Sequence, residues 1–178
     1  MRVCKTIADM RQVAADLKSR GDLGFVPTMG ALHAGHMALV ELAVRENASV
    51  AASIFVNPTQ FGDPEDFDKY PNTLDADLTT LEQAGVEAVF LPDVSVIYPP
   101  GDETIVETTR LANMLHGEVR PGHFRGVTTV VTRLFNIVQP HRAYFGKKGL
   151  PAACGDPAYG ERPPYPGGDP WRGNGPGR

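Results

Sequence analysis

Two histidines three positions apart, His33 and His36, stand in the run Pro27-Thr-Met-Gly-Ala-Leu-His-Ala-Gly-His36, between a short apolar segment and an amphipathic one. On a turn or a helix start that spacing projects both imidazoles to neighbouring positions. A helix start also gathers unpaired N–H groups and about half a unit of positive charge, which favours an anion there. Gly30 and Gly35 lack a Cβ, so the backbone can turn sharply and approach a ligand closely. These features read together as a nucleotide phosphate site. Its two imidazoles would donate hydrogen bonds to a departing pyrophosphate, where negative charge grows in the transition state. The plain alternative is that both rings only cap and pack a strand-to-helix corner. The apolar run before the motif and the helical pattern after it favour the phosphate reading.

A second group follows the apolar run Ser49 to Val56: Asn57 and Gln60, whose amides are suited to a hydroxyl and a carboxylate. A turn built around Asn57-Pro58 accounts for them equally well. Tyr70-Pro71 reads as a packing and helix-start signal as readily as a site element. His116 and His123 lie in a stretch rich in turn residues, where surface solvation explains each as well as a role in the site. Arg120 and Arg125 suit an anionic substrate or are ordinary exposed arginines.

The elements that must position these residues alternate along the chain. Thr6 can cap a helix in which Ile7, Met10, Val13 or Ala14, and Leu17 repeat at helical spacing, with Gly21 to end it. Gly24 to Thr28 is a short strand, and residues 36 to 47 fit a helix with Leu39, Val40, Ala43 and Val44 on its apolar face. Ser49 to Val56 reads as a strand buried on both faces. Leu74 to Ala84 is helical, Val86 to Leu91 is another buried strand, and Ile105 to Thr108 is expected at a sheet edge. Val127 to Val138 fits a helix despite its β-branched residues, and Ala143 to Phe145 is a last short strand. Strands alternating with helices give an α/β fold with a parallel sheet, and ligands then sit at the carboxyl ends of the strands. Gly24 to His36 falls in that place.

Composition bounds the rest. A chain of 178 residues suffices for one domain with a sizeable core. A net charge of -4 without a basic block argues against nucleic acid as a partner. No apolar run is long enough to span a bilayer and no secretory leader is evident, so a soluble cytoplasmic protein without membrane contact is expected. Cys4 and Cys154 have no metal-ligand spacing and make no disulfide framework. No metal ligands are assigned. From residue 149 to 178 the pattern disappears into Pro and Gly pairs, and disorder is expected from about Gly149 onward.

Five stretches resemble one family in order and spacing: Pro27 to His36, Phe55-Val-Asn-Pro-Thr-Gln-Phe61, Asp68-Lys-Tyr-Pro71, Arg120-Pro-Gly-His-Phe-Arg-Gly-Val127 and Ala143-Tyr-Phe-Gly-Lys-Lys148. Over residues 1 to 148 the chain is similar to the pantothenate synthetases, the pantoate–β-alanine ligases. That resemblance implies a Rossmann-like nucleotidyltransferase domain over residues 1 to 148, incomplete here, and a reaction that uses ATP and Mg²⁺. Pantoate is adenylated with loss of pyrophosphate, and β-alanine then displaces AMP. It further implies that Met29, Gly30, Ala31, Leu32, His33, Ala34, Gly35 and His36 bind ATP, with His36 as proton donor beside His33. By the same resemblance Gln60 holds pantoate, Asn57 and Tyr70 help to line the site, and Gly146, Lys147 and Lys148 form the next nucleotide-binding segment. The family also implies a homodimer.

After Lys148 the chain departs from the family. Where the family has an Asp, an aromatic and Gln-Gln, this sequence has Gly149-Leu-Pro-Ala-Ala153, and neither the family's Ser-Ser-Arg segment nor its smaller C-terminal domain is matched. Read one base later from codon 149, degenerate third positions permit Asp-Tyr-Gln-Gln-Leu-Ala-Val-Ile-Arg-Arg-Met-Val, a helical and apolar-periodic text. The expectation is a single-base insertion that produced the tail of residues 149 to 178 and impaired the ligase, and sequencing the coding DNA tests it. Two other readings are a non-catalytic nucleotide-binding domain and a related nucleotidyltransferase acting on a phosphorylated alcohol.

Overall fold

The computed structural model describes residues 1–62, 64–107 and 122–146. Strands β1 (Arg2–Cys4), β2 (Leu23–Thr28), β3 (Ser49–Ile54), β4 (Ala88–Phe90) and β5 (Arg142–Ala143) form one sheet in the order β1-β4-β3-β2-β5. Every pairing is parallel, with Phe25 opposite Ala51 and Ala143, and Ala52 opposite Val89. From β2 the chain steps outward through β3 to β4, then returns to place β5 on the other side of β2. That reversal opens a crevice at the carboxyl ends of β2 and β5, the place where open α/β sheets bind ligands.

Among the described residues the helices are α1 (Ile7–Lys18), α2 (Ala34–Glu46), α3 (Pro64–Asp68), α4 (Leu74–Gln83), α5 (Val94–Ile97) and α6 (His123–Val138), with a 3₁₀ turn at Pro58–Gln60. Alternate strand residues face opposite layers, as the period of two requires. Phe25, Ala51 and Phe90 pack with Met10, Ala14 and Leu17 of α1 and Val130, Leu134 and Ile137 of α6. Val26, Ala52 and Val89 pack with Val40 and Ala43 of α2 and Leu81 of α4. All six residues of β3 are buried, which explains why its sequence is continuously apolar or small instead of alternating.

Thr6 caps α1 as its position suggested, accepting from the Asp9 amide at 3.1 Å. The helix ends at Lys18 with Ser19 as its cap, three residues before Gly21. The strand expected at Ile105 to Thr108 is not one over its described part, residues 105–107. There the backbone bonds to threonines of α6: the Val106 amide donates to Thr129 Oγ1 at 3.0 Å, and Thr128 Oγ1 donates to the Val106 carbonyl at 2.6 Å. Side-chain hydroxyls thus take the partners that a sheet edge would have supplied. The helix expected at Val127 starts earlier, at His123, so His123 is not a loop residue. Its β-branched residues are accommodated because Val130, Leu134, Ile137 and Val138 are buried, and burial outweighs weak helix propensity. The strand expected at Ala143 to Phe145 is assigned to Arg142–Ala143, with the Tyr144 amide still bonded to the Phe25 carbonyl at 2.9 Å. His116, Arg120, Lys147, Lys148, Cys154 and the tail expected to be disordered lie outside the described residues.

Candidate active site

The corner between β2 and α2 is built from below by hydroxyl and carboxylate groups. Thr28, the last residue of β2, donates through Oγ1 to the Ser53 carbonyl of β3 at 2.7 Å and accepts the Gly30 amide at 3.2 Å. Gly30 and Ala31 then take left-handed backbone conformations, with φ of +83° and +51°. The next two amides converge on one side chain. Ala31 N donates to Asp77 Oδ2 and Leu32 N to Asp77 Oδ1, both at 2.9 Å. Asp77 is 4% exposed and receives a further bond from Thr73 Oγ1 at 3.0 Å. Tyr70 reaches the same turn, its hydroxyl donating to the Gly30 carbonyl at 3.5 Å. Burial first, and the Asp77 charge second, push the Tyr70 phenol up, which keeps it a donor at neutral pH.

His33 is the N-cap of α2, and its Nδ1 accepts the Gly35 amide at 3.0 Å. A Cβ on Gly35 would stand 2.9 Å from the His33 ring, so glycine is needed there to let the imidazole fold over the helix start. The His33 and His36 rings stack, centroids 4.0 Å apart and planes inclined by 24°. Burial lowers the His36 pKa from 6.5, the neighbouring His33 lowers it further, and Asp77 acts in the opposite direction. His36 is therefore neutral at pH 7. Its buried Nδ1 has no hydrogen-bond partner, which leaves the tautomer free to follow whatever the ring meets.

Across the crevice Asn57 organises the turn after β3. It is 1% exposed, and its amide orientation is fixed by groups whose roles cannot reverse. The Thr59 amide can only donate, to Oδ1 at 3.4 Å, and the Gly126 carbonyl can only accept, from Nδ2 at 3.1 Å. Thr59 Oγ1 and the Tyr98 hydroxyl add two donations to Oδ1, each at 2.9 Å. The remaining Nδ2 hydrogen goes to Gln60 Oε1 at 3.1 Å, so Gln60 must present its NH₂ on the other side, where it meets Met29 Sδ at 3.0 Å. Helix α6 closes this turn directly. A Cβ on Gly126 would overlap the Thr59 carbonyl oxygen, and His123 Nδ1 lies 2.9 Å from the Gln60 carbonyl. Behind Tyr98, the Arg133 guanidinium lies over the ring at 4.8 Å and pairs with Asp102, whose carboxyl it holds below the usual range.

The structure thus brings Gln60 to Met29, Tyr70 to Gly30, and His33 onto Gly35 and His36, with Ala31 and Leu32 in the same turn, while Gly146 follows β5 in the chain. Asn57 is bonded to Gln60, and its polar atoms are occupied by protein partners. Arg125 is exposed on the first turn of α6. The sequence reading missed Asp77, Tyr98 and Gly126. A signal for Asp77 exists: it falls on the apolar stripe Leu74, Leu78 and Leu81 of α4, where a carboxylate must have a specific partner.

The family model described as pantoate-beta-alanine ligase matches residues 2–153. The pantothenate synthetase of Acetivibrio thermocellus is 54% identical over 149 residues, covering 83% of this chain and 53% of that protein. The crystal structure of pantothenate synthetase from Thermus thermophilus superposes with a TM-score of 0.77 at 53% identity, over 83% of this chain and 52% of that one. The pantoate-beta-alanine ligase of Francisella tularensis, solved with βγ-ATP and β-alanine, superposes with a TM-score of 0.76 at 42% identity, over 80% and 55% of the two chains. The chain spans about half the length of the curated relatives it matches.

Proposed function

The chain belongs to the pantoate-beta-alanine ligase family, and from that membership we propose that its β2–α2 corner binds ATP while the turn after β3 binds pantoate. The observation that carries this reading is the stacked His33–His36 pair at the start of α2, with one buried ring nitrogen unpartnered, at the point where the strand order reverses. In the reaction so assigned, a pantoate carboxylate oxygen attacks the α-phosphorus of ATP. The new bond is O–P, the broken one joins the α-phosphorus to the bridging oxygen of pyrophosphate, and the electron pair leaves with pyrophosphate. The amine of β-alanine then attacks the acyl carbon of pantoyl adenylate, AMP departs, and the amine loses its proton.

His36 would donate to the phosphate oxygens; burial favours its neutral form in the free protein, and a triphosphate beside the ring would raise its pKa again. Gln60, with its NH₂ turned outward by Asn57, offers a donor suited to the pantoate carboxylate or hydroxyl. Met29 and Tyr70 shape the wall, and by the family resemblance Gly146, Lys147 and Lys148 would supply the next nucleotide-binding segment. A Mg²⁺ arriving with ATP would neutralise triphosphate charge at this corner. The same reading includes a cytoplasmic enzyme acting as a homodimer, impaired by the departure from the family after Lys148.

Pantoate-dependent release of pyrophosphate from ATP tests the assignment. A response to pantoate supports it, and a response only to a phosphorylated alcohol assigns the corner to another nucleotidyltransferase. A stabilisation by ATP without turnover would leave the chain a nucleotide-binding domain.

A further inference from the structure

We propose that Asp77 is the positioning residue of this corner: its carboxylate holds the Gly30–Ala31 turn in the shape that aims His33 and His36. The inference rests on the nucleotide reading of that corner. Four observations carry it. Both carboxylate oxygens are used, one on each of two consecutive amides, Ala31 and Leu32. Ala31 adopts a positive φ without being glycine, a strained state that persists only where the surroundings enforce it. Thr73 stands at the N-cap of α4 but makes no side-chain bond to the helix backbone, and its hydroxyl goes to Asp77 instead. Asp77 is nearly fully buried, so its charge is stabilised by these three donors rather than by water.

An acid in the first turn of a helix ordinarily serves that helix's own dipole. Here the carboxylate is spent on a loop more than forty residues earlier in the chain. One consequence separates this arrangement from a simple amide cradle. The Ala31 and Leu32 amides hold the loop and do not reach the phosphates, so anion recognition falls to the first turn of α2 and to the two imidazoles.

The test uses the full 178-residue chain, with hydrogen exchange followed at single amides and ATP titrated calorimetrically. In Asp77→Asn one of the two amides faces an NH₂ in place of an oxygen. Exchange at Ala31 and Leu32 is expected to rise by about tenfold or more, with Phe25 and Val26 unchanged, and the ATP dissociation constant to rise by about tenfold. Thr73→Val, a milder change that keeps the carboxylate, shifts both readings the same way by less. Adding Ala31→Gly to Asp77→Asn recovers part of the affinity, because glycine takes the positive φ without strain. Unchanged exchange in Asp77→Asn overturns the clamp, and raised exchange with unchanged ATP affinity overturns the positioning role. A parent chain that gives no heat with ATP defeats the nucleotide reading instead. The exchange rates of the variants then still decide whether Asp77 holds the turn.

Discussion

His36 and Asn57 follow adjacent strands of one sheet, yet the protein treats them in opposite ways. Asn57 is sealed: its amide is surrounded by Thr59, Tyr98, Gly126 and Gln60, and its orientation is dictated by backbone groups. His36 is left half-buried, stacked on one neighbour, with an unpartnered nitrogen and a depressed pKa. Saturated polar groups rigidify, and unsaturated ones wait for a partner. The pair teaches that residue types expected to touch ligand differ in what the fold already asks of them: the Asn57 amide is bonded to protein through both its atoms and holds Gln60, whereas His36 keeps an unpartnered nitrogen.

The strongest way to break the sealed half is Gly126→Ala. The new methyl would overlap the Thr59 carbonyl, so α6 or the Pro58–Gln60 turn must move, at a cost of about 1–3 kcal/mol. A lower melting temperature with loss of the Gln60 orientation is the expected result, and an unchanged melt would mean that the turn yields easily. Asn57→Ala should cost a similar amount by removing the shared partner of the Thr59 amide, the Tyr98 hydroxyl and Gln60 Oε1, again about 1–3 kcal/mol, read by denaturant unfolding. His36→Ala should do the reverse of both. It leaves the melt nearly unchanged while ATP affinity falls by about tenfold to a hundredfold, because the group stabilises the ligand and little of the fold.

A gentler contrast comes from pH. Burial first, and the His33 neighbour second, lower the His36 pKa of the free protein from 6.5 against the opposing Asp77, and a triphosphate beside the ring would raise it again. Binding therefore takes up a proton, and ATP affinity should improve as pH falls from the raised value of the complex to the lowered value of the free ring, by at most about tenfold per pH unit. The dependence should vanish in His36→Ala. Tyr98→Phe, the smallest change, removes one of several donors to Asn57 Oδ1 and should cost about 1 kcal/mol. A cost indistinguishable from zero would show that Thr59 suffices to hold the amide.

The fold was readable in the sequence where burial is two-sided and continuous. The short strand read at Gly24 to Thr28 is Leu23–Thr28, the doubly buried strand read at Ser49 to Val56 is Ser49–Ile54, and the glycine-bearing corner after the first marks the crevice. Sequence was a poor guide where long-range partners decide. Nothing near Ile105 says that its backbone will bond to Thr128 and Thr129 of α6 instead of a strand. Nothing near His33 points to Asp77, because its carboxylate reaches the Ala31 and Leu32 amides only once α4 packs on the same side of the sheet as α2. The histidine motif was legible because its chemistry is local, and its support was not because that support comes from another helix.

The most direct test of the central claim is a histidine-resolved NMR titration of the full chain with ATP and Mg²⁺. His141, whose Nδ1 accepts the Leu23 amide at the far end of the same sheet, serves as an internal control. The His33 and His36 ring signals are predicted to shift together and to fix one tautomer of His36 while His141 stays in place. Shifts absent from both rings, or equal at His141, would contradict a phosphate site at the β2–α2 corner.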